Sequence, residues 1–351
     1  MKINRRKAVR NIGTGLAAYS LAGTLPLITS CNDSASNTEA AEATASTTTT
    51  TTPMFFKISL AQWSLHKSFF GPIIENGFEP FIQAMQTDPD SALQGELDPI
   101  DFPVIARQEF GIDTIELVNT FYFTKAKNMD YLKELKNRAA GEGVGISMIM
   151  CDFEGDLGDA DAAKRQQTVE NHYKWIEAVK FLGGNTIRVN AAGQGSAEEV
   201  KSRAAEGLAA LAEYAQQENV NVLVENHGGY SSDGQWLASL METVNLPNCG
   251  TLPDFGNFCI EGYPWDCKKQ YDRYQGVKEL TPFAKGISAK SHAFDENGNE
   301  TNTDYTRMLK IVKDAGFTGN IGIEYEGTEL PEKEGIMATK KLLERVAANM
   351  G

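Results

Sequence analysis

Eight short apolar runs recur along residues 54–351, and most of the stretches between them carry apolar positions at helical spacing. The run at 220–224 shows the pattern, because its continuous apolar positions predict a strand that is buried on both faces of a parallel sheet. The stretch before it places Leu208, Leu211 and Ala212 on one face of a helix. Strands are predicted at 55–62, 112–117, 144–150, 185–189, 220–224, 250–253, 286–289 and 320–323.

Strands that alternate with helices predict a parallel sheet with helical crossovers. Eight such units fit a closed (β/α)8 TIM barrel of the α/β class, and the length of 54–351 suits a single barrel. No GxGxxG motif follows the first run, which argues against a dinucleotide-binding sheet. Residues 69–100 carry no strand pattern and are predicted to form an elaborated loop after the first strand.

Residues 1–31 have the pattern of an export signal rather than of a folded domain. A basic start with Arg5 and Arg6 precedes an apolar, small-residue stretch at 12–28. The sequence Ile-Thr-Ser-Cys at 28–31 resembles a bacterial lipobox, which implies a lipid anchor on Cys31. The adjacent arginines also resemble a twin-arginine signal. The expected location is the bacterial cell envelope, at its periplasmic or outer-membrane face.

Residues 32–53 are mostly Ser, Thr and Ala, and this composition cannot bury enough apolar area to become ordered. They are predicted to be a flexible tether between the lipid anchor and the barrel at 54–351. The formal net charge of the whole chain is -14. This charge argues against non-specific binding to nucleic acid, which needs a basic surface. Membrane contact is expected only through Cys31.

Polar residues end the last four predicted strands, namely Glu225, Asp254, His292 and Glu324. Side chains at this end of a β/α barrel converge, because adjacent parallel strands lie about 5 Å apart. Three carboxylates and one imidazole suit one divalent ion (Mn²⁺, Mg²⁺, Co²⁺ or Zn²⁺) better than they suit a thiolate zinc site. Glu326 is an alternative to Glu324 as the ligand, since both point to the same side of a strand.

A metal ion held by these residues would polarise a sugar carbonyl and stabilise the enediolate left after proton removal. Glu225 and Glu324 would lie on opposite sides of the ion and are the predicted catalytic acid and base. Each residue also has an ordinary explanation, since an acid at a strand end commonly caps a helix or forms a turn. Their conjunction favours a site, because three of the four histidines also fall at predicted strand ends.

Further residues near the predicted strand ends are candidate substrate contacts. Trp63 could stack on a sugar ring, and Arg188 could meet a charged group, although both also fit core or rim positions. The predicted substrate contacts are Trp63, His66, Glu116, Asn119, Arg188, Asn190, His227, Asn257, Lys290 and Glu326.

Four cysteines follow Cys31, and they lack the paired CxxC spacing of a zinc module. In an exported protein, a disulfide among Cys249, Cys259 and Cys267 is one prediction. Buried free thiols are the alternative, because cysteine is often buried.

Four segments together resemble the xylose isomerase-like sugar phosphate isomerase/epimerase superfamily, which includes ketose 3-epimerases, hydroxypyruvate isomerase and inosose dehydratase. They are Leu-Val-Glu-Asn-His-Gly-Gly at 223–229, Pro-Asp-Phe-Gly-Asn at 253–257, Lys-Ser-His-Ala-Phe-Asp at 290–295 and Gly-Ile-Glu-Tyr-Glu-Gly at 322–327. The resemblance implies a TIM barrel with a divalent metal on Glu225, Asp254, His292 and Glu324. It also implies that the two glutamates are the acid and base.

The sequence departs from the ketose epimerases at two places. Asn257 stands where they carry a histidine, and no arginine follows His292 in the loop that begins at Asp295. Lys290 is a candidate to replace a missing contact or charge. The DNA-repair endonucleases of the superfamily need more histidines and a basic face, so the net charge and the four histidines argue against that activity.

The leading prediction is a metal-dependent sugar isomerase or epimerase that removes a proton next to a carbonyl and acts on an unphosphorylated carbohydrate. A lyase or hydratase acting on a 3-keto-glycoside, with the same metal and base, is the alternative enzyme. A lipid-anchored carbohydrate-binding protein is the alternative that is not an enzyme.

Overall fold

The computed structural model describes residues 54–350, except 76, 264 and 265. The predicted signal peptide, lipobox and tether, residues 1–53, lie outside the described residues. Within the described part of the chain, no helix has the length and apolar character needed to cross a membrane.

Eight parallel strands of the described residues form a barrel, and two more form a separate antiparallel hairpin. The strands are β1 (Lys57–Ala61), β2 (Thr114–Val118), β3 (Gly145–Met150), β4 (Thr186–Val189), β5 (Asn221–Glu225), β6 (Cys249–Leu252), β7 (Cys259–Tyr263), β8 (Asp266–Gln270), β9 (Ile287–Ser291) and β10 (Asn320–Tyr325). The barrel strands run in the order β6-β5-β4-β3-β2-β1-β10-β9, and helices surround them. The predicted TIM barrel is therefore confirmed.

Several helices begin or end at residues suited to capping. Ser196 and Glu199 form a reciprocal capping box at the start of the helix Ala197–Gln217, and Gly143 ends the helix Met129–Glu142 in the left-handed conformation that glycine tolerates. The helices are α1 (His66–Phe70), α2 (Pro72–Glu75), α3 (Phe78–Thr87), α4 (Phe102–Phe110), α5 (Met129–Glu142), α6 (Ala162–Leu182), α7 (Ala197–Gln217), α8 (Gly234–Val244), α9 (Arg273–Leu280), α10 (Tyr305–Asp314) and α11 (Glu332–Ala348).

Register decides which side chains meet inside the barrel. In the pairing of β9 with β10, Lys290 lies beside Glu324 and Ser288 lies beside Gly322. Alternate residues of a strand point to the same face. Ser288 and Lys290 therefore reach the barrel interior together, at two successive levels of β9.

The barrel closes between β6 and β9 through isolated bridges rather than a continuous ladder. Thr251 pairs with Ala284, and Asp254 pairs with Ser288. Pro253 follows the last residue of β6 and cannot continue the ladder as a donor, because proline has no N–H group. We call this junction the seam, comprising residues 251–255 and 284–288.

Residues 254–286 contain structure that the apolar pattern does not predict, namely the β7–β8 hairpin and α9. A disulfide joins Cys259 and Cys267 across the hairpin, which is one of the two predicted alternatives. Cys151 is buried and free, and Cys249 is half-buried and free. The elaborated segment after β1 is largely helical, since α1, α2 and α3 lie within it or at its start.

Candidate active site

Three carboxylates meet at the carboxyl end of the barrel. Glu225 ends β5, Asp254 follows β6, and Glu324 lies near the end of β10. Their side chains are buried, and each offers an oxygen within 4.8 Å of the others. We call these three residues the acidic triad. An oxygen set of this spacing could hold a divalent cation.

Short hydrogen bonds fix Asp254 within the triad. Its Oδ1 accepts from the backbone N–H groups of Gly256 (2.7 Å) and Asn257 (2.8 Å). Its own backbone N–H donates to Asn226 Oδ1 at 2.7 Å. The turn at Gly256 therefore holds the Asp254 carboxylate in place within the acidic triad. Asp254 forms this turn and also belongs to the site.

Ser288 connects two members of the acidic triad. Its Oγ lies 2.6 Å from Asp254 Oδ2 and 2.7 Å from Glu324 Oε2. A hydroxyl carries one proton, so it satisfies only one of these contacts as donor. A proton on the second carboxyl group would satisfy the other contact.

Lys290 is the cation that faces the acidic triad from β9. Its Nζ donates to Glu324 Oε1 and to Glu326 Oε1, both at 3.0 Å, and lies 3.7 Å from Asp254 Oδ2. The lysine side chain is only 2% exposed. The surrounding carboxylates raise the pKa of Lys290 well above its usual range, despite the opposing effect of burial.

His292 does not join the acidic triad, contrary to the predicted ligand set. β9 ends at Ser291, and its register with β10 sets Lys290 at the level of Glu324. His292 follows two residues later, about 6.6 Å further along an extended chain. It is half-buried, and its backbone N–H donates to Glu300 Oε1 at 3.2 Å.

A second ion-paired group lies beside Glu225. Arg188 on β4 places Nη1 2.7 Å from Asp152 Oδ1 and Nε 2.7 Å from Glu225 Oε2. Asn190 Nδ2 also donates to Asp152 Oδ1, at 2.8 Å. Burial alone would raise the pKa of Asp152, but Arg188 lowers this pKa to about 2. Asp152 is therefore ionised at neutral pH and forms an ion pair with Arg188.

Two members of the acidic triad titrate near neutrality. Burial raises the pKa of Glu225 to about 7, against the opposing charge of Arg188. Burial likewise raises the pKa of Asp254 to about 7, against the charge of Lys290. A carboxyl group with a pKa near the working pH can both accept and donate a proton, which general acid–base catalysis requires.

A family model for the xylose isomerase-like TIM barrel matches residues 105–346. The chain belongs to this family. Comparison with curated protein sequences gives no match.

Solved structures similar to this family member share its fold at low sequence identity. 3-Keto-D-glucoside 4-epimerase from E. coli is 12% identical, with a TM-score of 0.58 over 83% of this chain and 99% of that chain. L-Ribulose 3-epimerase is 16% identical, with a TM-score of 0.59 over 84% and 96% of the two chains. A xylose isomerase-like TIM barrel protein from Mycobacterium smegmatis, in complex with magnesium, is 14% identical, with a TM-score of 0.58 over 84% and 97%.

In this xylose isomerase-like barrel, aromatic rings lie beside the first strand. The rings of Trp63 and His66 are stacked, with centroids 5.0 Å apart and an interplanar angle of 10°. His66 Nδ1 lies 2.8 Å from the Trp63 carbonyl oxygen and 3.6 Å from Glu332 Oε1. His66 is therefore held in place by the protein itself, while Trp63 stays half-buried and can offer surface to a ligand.

Glu116 is a buried acid inside the barrel of this family member. Ser59 Oγ donates to its Oε1 at 2.6 Å, while its Oε2 has no hydrogen-bond partner among the described residues. Burial raises the pKa of Glu116 to about 7. Within the described part of the chain, the second oxygen is therefore a buried acceptor without the donor that such a group normally has.

Several of the other predicted contacts hold neighbouring groups in position. Asn119 Nδ2 donates to the Asp152 carbonyl oxygen at 2.8 Å, and Asn257 Nδ2 donates to Glu225 Oε1 at 3.0 Å. His227 is exposed, and its backbone N–H donates to Ser231 Oγ at 2.9 Å. Asn119 and Asn257 thus orient charged residues, and His227 lies on the exposed surface.

Three residues at the site are missing from the prediction: Asp152, Asn226 and Ser288. Asp152 follows β3 and Asn226 follows β5. A polar residue directly after a buried strand was the sequence feature that could have identified both as site residues. Ser288 precedes Lys290 by two residues, and strand alternation alone would have placed both on one face.

Proposed function

We propose that this protein is an enzyme that removes a proton next to the carbonyl of an unphosphorylated keto-sugar and returns it, as an isomerase or epimerase does. The supporting observation is that two buried carboxylates, Glu225 and Glu324, lie together at one end of the barrel with the buried ammonium of Lys290, which is ion-paired with Glu324. Acids and a cation together suit enolisation, which needs a base, an acid and a positive charge near the carbonyl oxygen.

The proposed reaction balances by proton transfers alone. One glutamate, as carboxylate, removes the proton from the carbon next to the carbonyl, and the C–H electron pair becomes the double bond of the enolate. The negative charge moves to the carbonyl oxygen. In epimerisation, the same carbon is then protonated on its other face. In isomerisation, the former carbonyl carbon is protonated, and the hydroxyl proton of the carbon that lost its hydrogen moves to the former carbonyl oxygen. Glu225 suits either role, because its pKa is raised to about 7.

An unphosphorylated substrate is favoured by the charges of the site. The two buried cations, Arg188 and Lys290, are already paired with carboxylates. A phosphate group would have to displace one of these carboxylates. The Cys259–Cys267 disulfide supports the predicted export, because disulfides persist in oxidising compartments. Trp63 offers a half-buried ring on which a sugar could stack.

Elimination from a 3-keto-glycoside is the second candidate. Asn257 favours it, since an amide stands beside Glu225 where the ketose epimerases carry an ionisable histidine. Elimination begins with the same removal of a proton. It then ends with loss of a leaving group from the next carbon rather than with return of the proton.

The predicted four-ligand metal set does not fit the residues present. The acidic triad offers suitable oxygen atoms, but His292 lies outside it and Lys290 Nζ lies 3.0 Å from Glu324. No step of the proposed reaction therefore passes through a metal ion.

Incorporation of deuterium from D₂O into a 3-keto-glucoside or a free ketose tests the proposal. Glu225→Gln and Glu324→Gln should each slow exchange by roughly 10²–10⁴-fold, because each removes an acid–base group. Glu329→Gln, an exposed glutamate after β10, is the control and should exchange at the wild-type rate. Release of a free alcohol would indicate elimination.

Wild-type exchange rates in both glutamine variants would overturn the assignment of the catalytic pair. Tight binding of a sugar without any exchange would favour the carbohydrate-binding alternative.

A further inference from the structure

Lys290 Nζ lies among the carboxylates that would surround a metal ion. Two of its three N–H groups donate to Glu324 and Glu326, each at 3.0 Å. Asp254 Oδ2 is 3.7 Å away, close enough for charge attraction but beyond a hydrogen bond. The ammonium therefore neutralises the part of the acidic triad that a divalent cation would occupy.

The strand register leaves no alternative place for this lysine. Lys290 is paired with Glu324 across β9 and β10, and Ser288, two residues earlier, contacts the same carboxylate. Tyr305 OH donates to the Lys290 carbonyl oxygen at 2.9 Å, which fixes the backbone at this level. Both the position and the direction of the side chain follow from the sheet.

The lysine side chain is also packed along its length. A Cβ atom on Gly256 would lie 2.7 Å from Lys290 Cγ and 3.2 Å from Lys290 Cβ. The main chain after Asp254 thus lies directly against the lysine stem. Movement of the ammonium out of the triad would require movement of this turn, which also carries the hydrogen bonds of Asp254.

A divalent ion would have to share this space with the ammonium. The two like charges would repel strongly, because the effective dielectric constant of a buried site is far below that of water, and a dication doubles the repulsion of a single charge. The carboxylates are already compensated by Lys290 and Arg188, so a metal ion would gain less from them than from an unpaired triad.

We propose that Lys290 replaces the divalent cation of the family in this chain, so that the site works without a metal. The catalytic part rests on the proposed function. The third N–H of the ammonium is available to donate to the carbonyl oxygen, and its charge would stabilise the oxyanion formed when the proton is removed. Lys290 is then a catalytic residue rather than a substitute substrate contact.

Metal content of the full-length chain tests the replacement without any substrate. Wild-type protein, purified without chelator, incubated with excess Mn²⁺ and then desalted, should hold no stoichiometric metal by elemental analysis. Lys290→Gln should gain up to one Mn²⁺ per chain, because the acidic triad loses its ammonium. Lys285→Gln, an exposed lysine just before β9, is the matched control and should stay metal-free.

One Mn²⁺ per wild-type chain, lost in Asp254→Ala, would overturn the replacement. Because this result concerns wild-type protein, it remains decisive even if Lys290→Gln does not fold. The raised melting temperature that bound metal causes would give a second measure.

Activity measurements separate the replacement of the metal by Lys290 from the proposed function. If deuterium exchange is found, it should survive EDTA, and Lys290→Gln should lose it while Lys285→Gln retains it. Exchange abolished by EDTA and restored by Mn²⁺ would overturn the replacement. Absence of exchange with every sugar would contradict the proposed function alone, since metal content is measured independently.

Discussion

Glu116 is a buried acid that lacks, among the residues described, the hydrogen-bond donors which an ionised carboxylate needs. It is fully buried, one carboxylate oxygen has a single hydroxyl donor, and the other has no partner among the described residues. Desolvation raises its pKa from an ordinary 4.5 to about 7, and the nearby charges of Glu324 and Glu225 act in the same direction. A protonated Glu116 therefore suits the folded protein better than a charged one.

This raised pKa predicts a loss of stability as pH rises. Between pH 4.5 and 7 the folded chain retains the proton of Glu116 while the unfolded chain has released it, so the free energy of unfolding decreases across this range. At about 1.4 kcal/mol per pKa unit, Glu116 accounts for roughly 3 kcal/mol of the decrease. Glu116→Gln cannot titrate and should show a smaller difference between pH 5 and pH 8 in urea unfolding.

Glu213→Gln, an exposed glutamate of α7, is the control and should keep the wild-type difference. A Glu116→Gln protein with the full wild-type decrease would show that Glu116 is ionised in the folded state.

The residues of the site were predictable by position but not by role. Glu225, Asp254 and Glu324 follow buried apolar runs, so the sequence alone brings them to one end of the barrel. Lys290 lies on β9 and His292 follows the end of that strand two residues later, so strand alternation cannot tell which of the two reaches the triad. Only the register of β9 with β10 decides which side chain lies at the level of Glu324. Register depends on pairing between strands that are far apart in sequence.

At the scale of elements, α9 shows why part of the chain escaped prediction. Of its eight residues only Gly276, Val277 and Leu280 are buried, which is too sparse for a clear helical pattern. β8 likewise has no apolar pattern in the sequence, because most of its residues are exposed. By contrast, β4 is buried at every position and β5 at every position after its first, and the apolar runs predicted the barrel strands to within a few residues.

A glycine contact anchors α9 and gives an element-scale prediction. A Cβ atom on Gly276 would lie 2.1 Å from Phe258 Cε1, and Phe258 is fully buried. Gly276→Ala should lower the free energy of unfolding by about 1–3 kcal/mol through overpacking. In Gly141→Ala, on α5, the new Cβ meets no atom within 4 Å, so stability should rise by up to about 1 kcal/mol.

Denaturant unfolding of both variants measures the two changes. Equal effects at the two sites would mean that Phe258 yields to the extra methyl group, and that α9 is not held by this contact.

At the scale of the whole molecule, the seam is where the barrel is least continuously paired. Elsewhere, neighbouring barrel strands share ladders, as β4 and β5 do from Thr186 to Val189. Across the seam the described hydrogen bonds are Lys285 N–H to Thr251 O (3.2 Å), Ser288 N–H to Pro253 O (2.9 Å) and Phe255 N–H to Ser288 O (3.1 Å). Asp254 and Lys290 lie at or next to this junction, so the site includes the weakest closure of the sheet.

Native-state hydrogen exchange should reveal this difference. The amides of Lys285 and Ser288 should exchange about tenfold faster than those of Val222 and Leu223, which corresponds to about 1.4 kcal/mol less free energy of opening. The reason is that fewer hydrogen bonds must break to open the seam than to separate β4, β5 and β6. Equal protection at both places would mean that the barrel opens only as one unit. In that case the contacts of Asp254 with Ser288 and Lys290 would join the two edges as firmly as a ladder does.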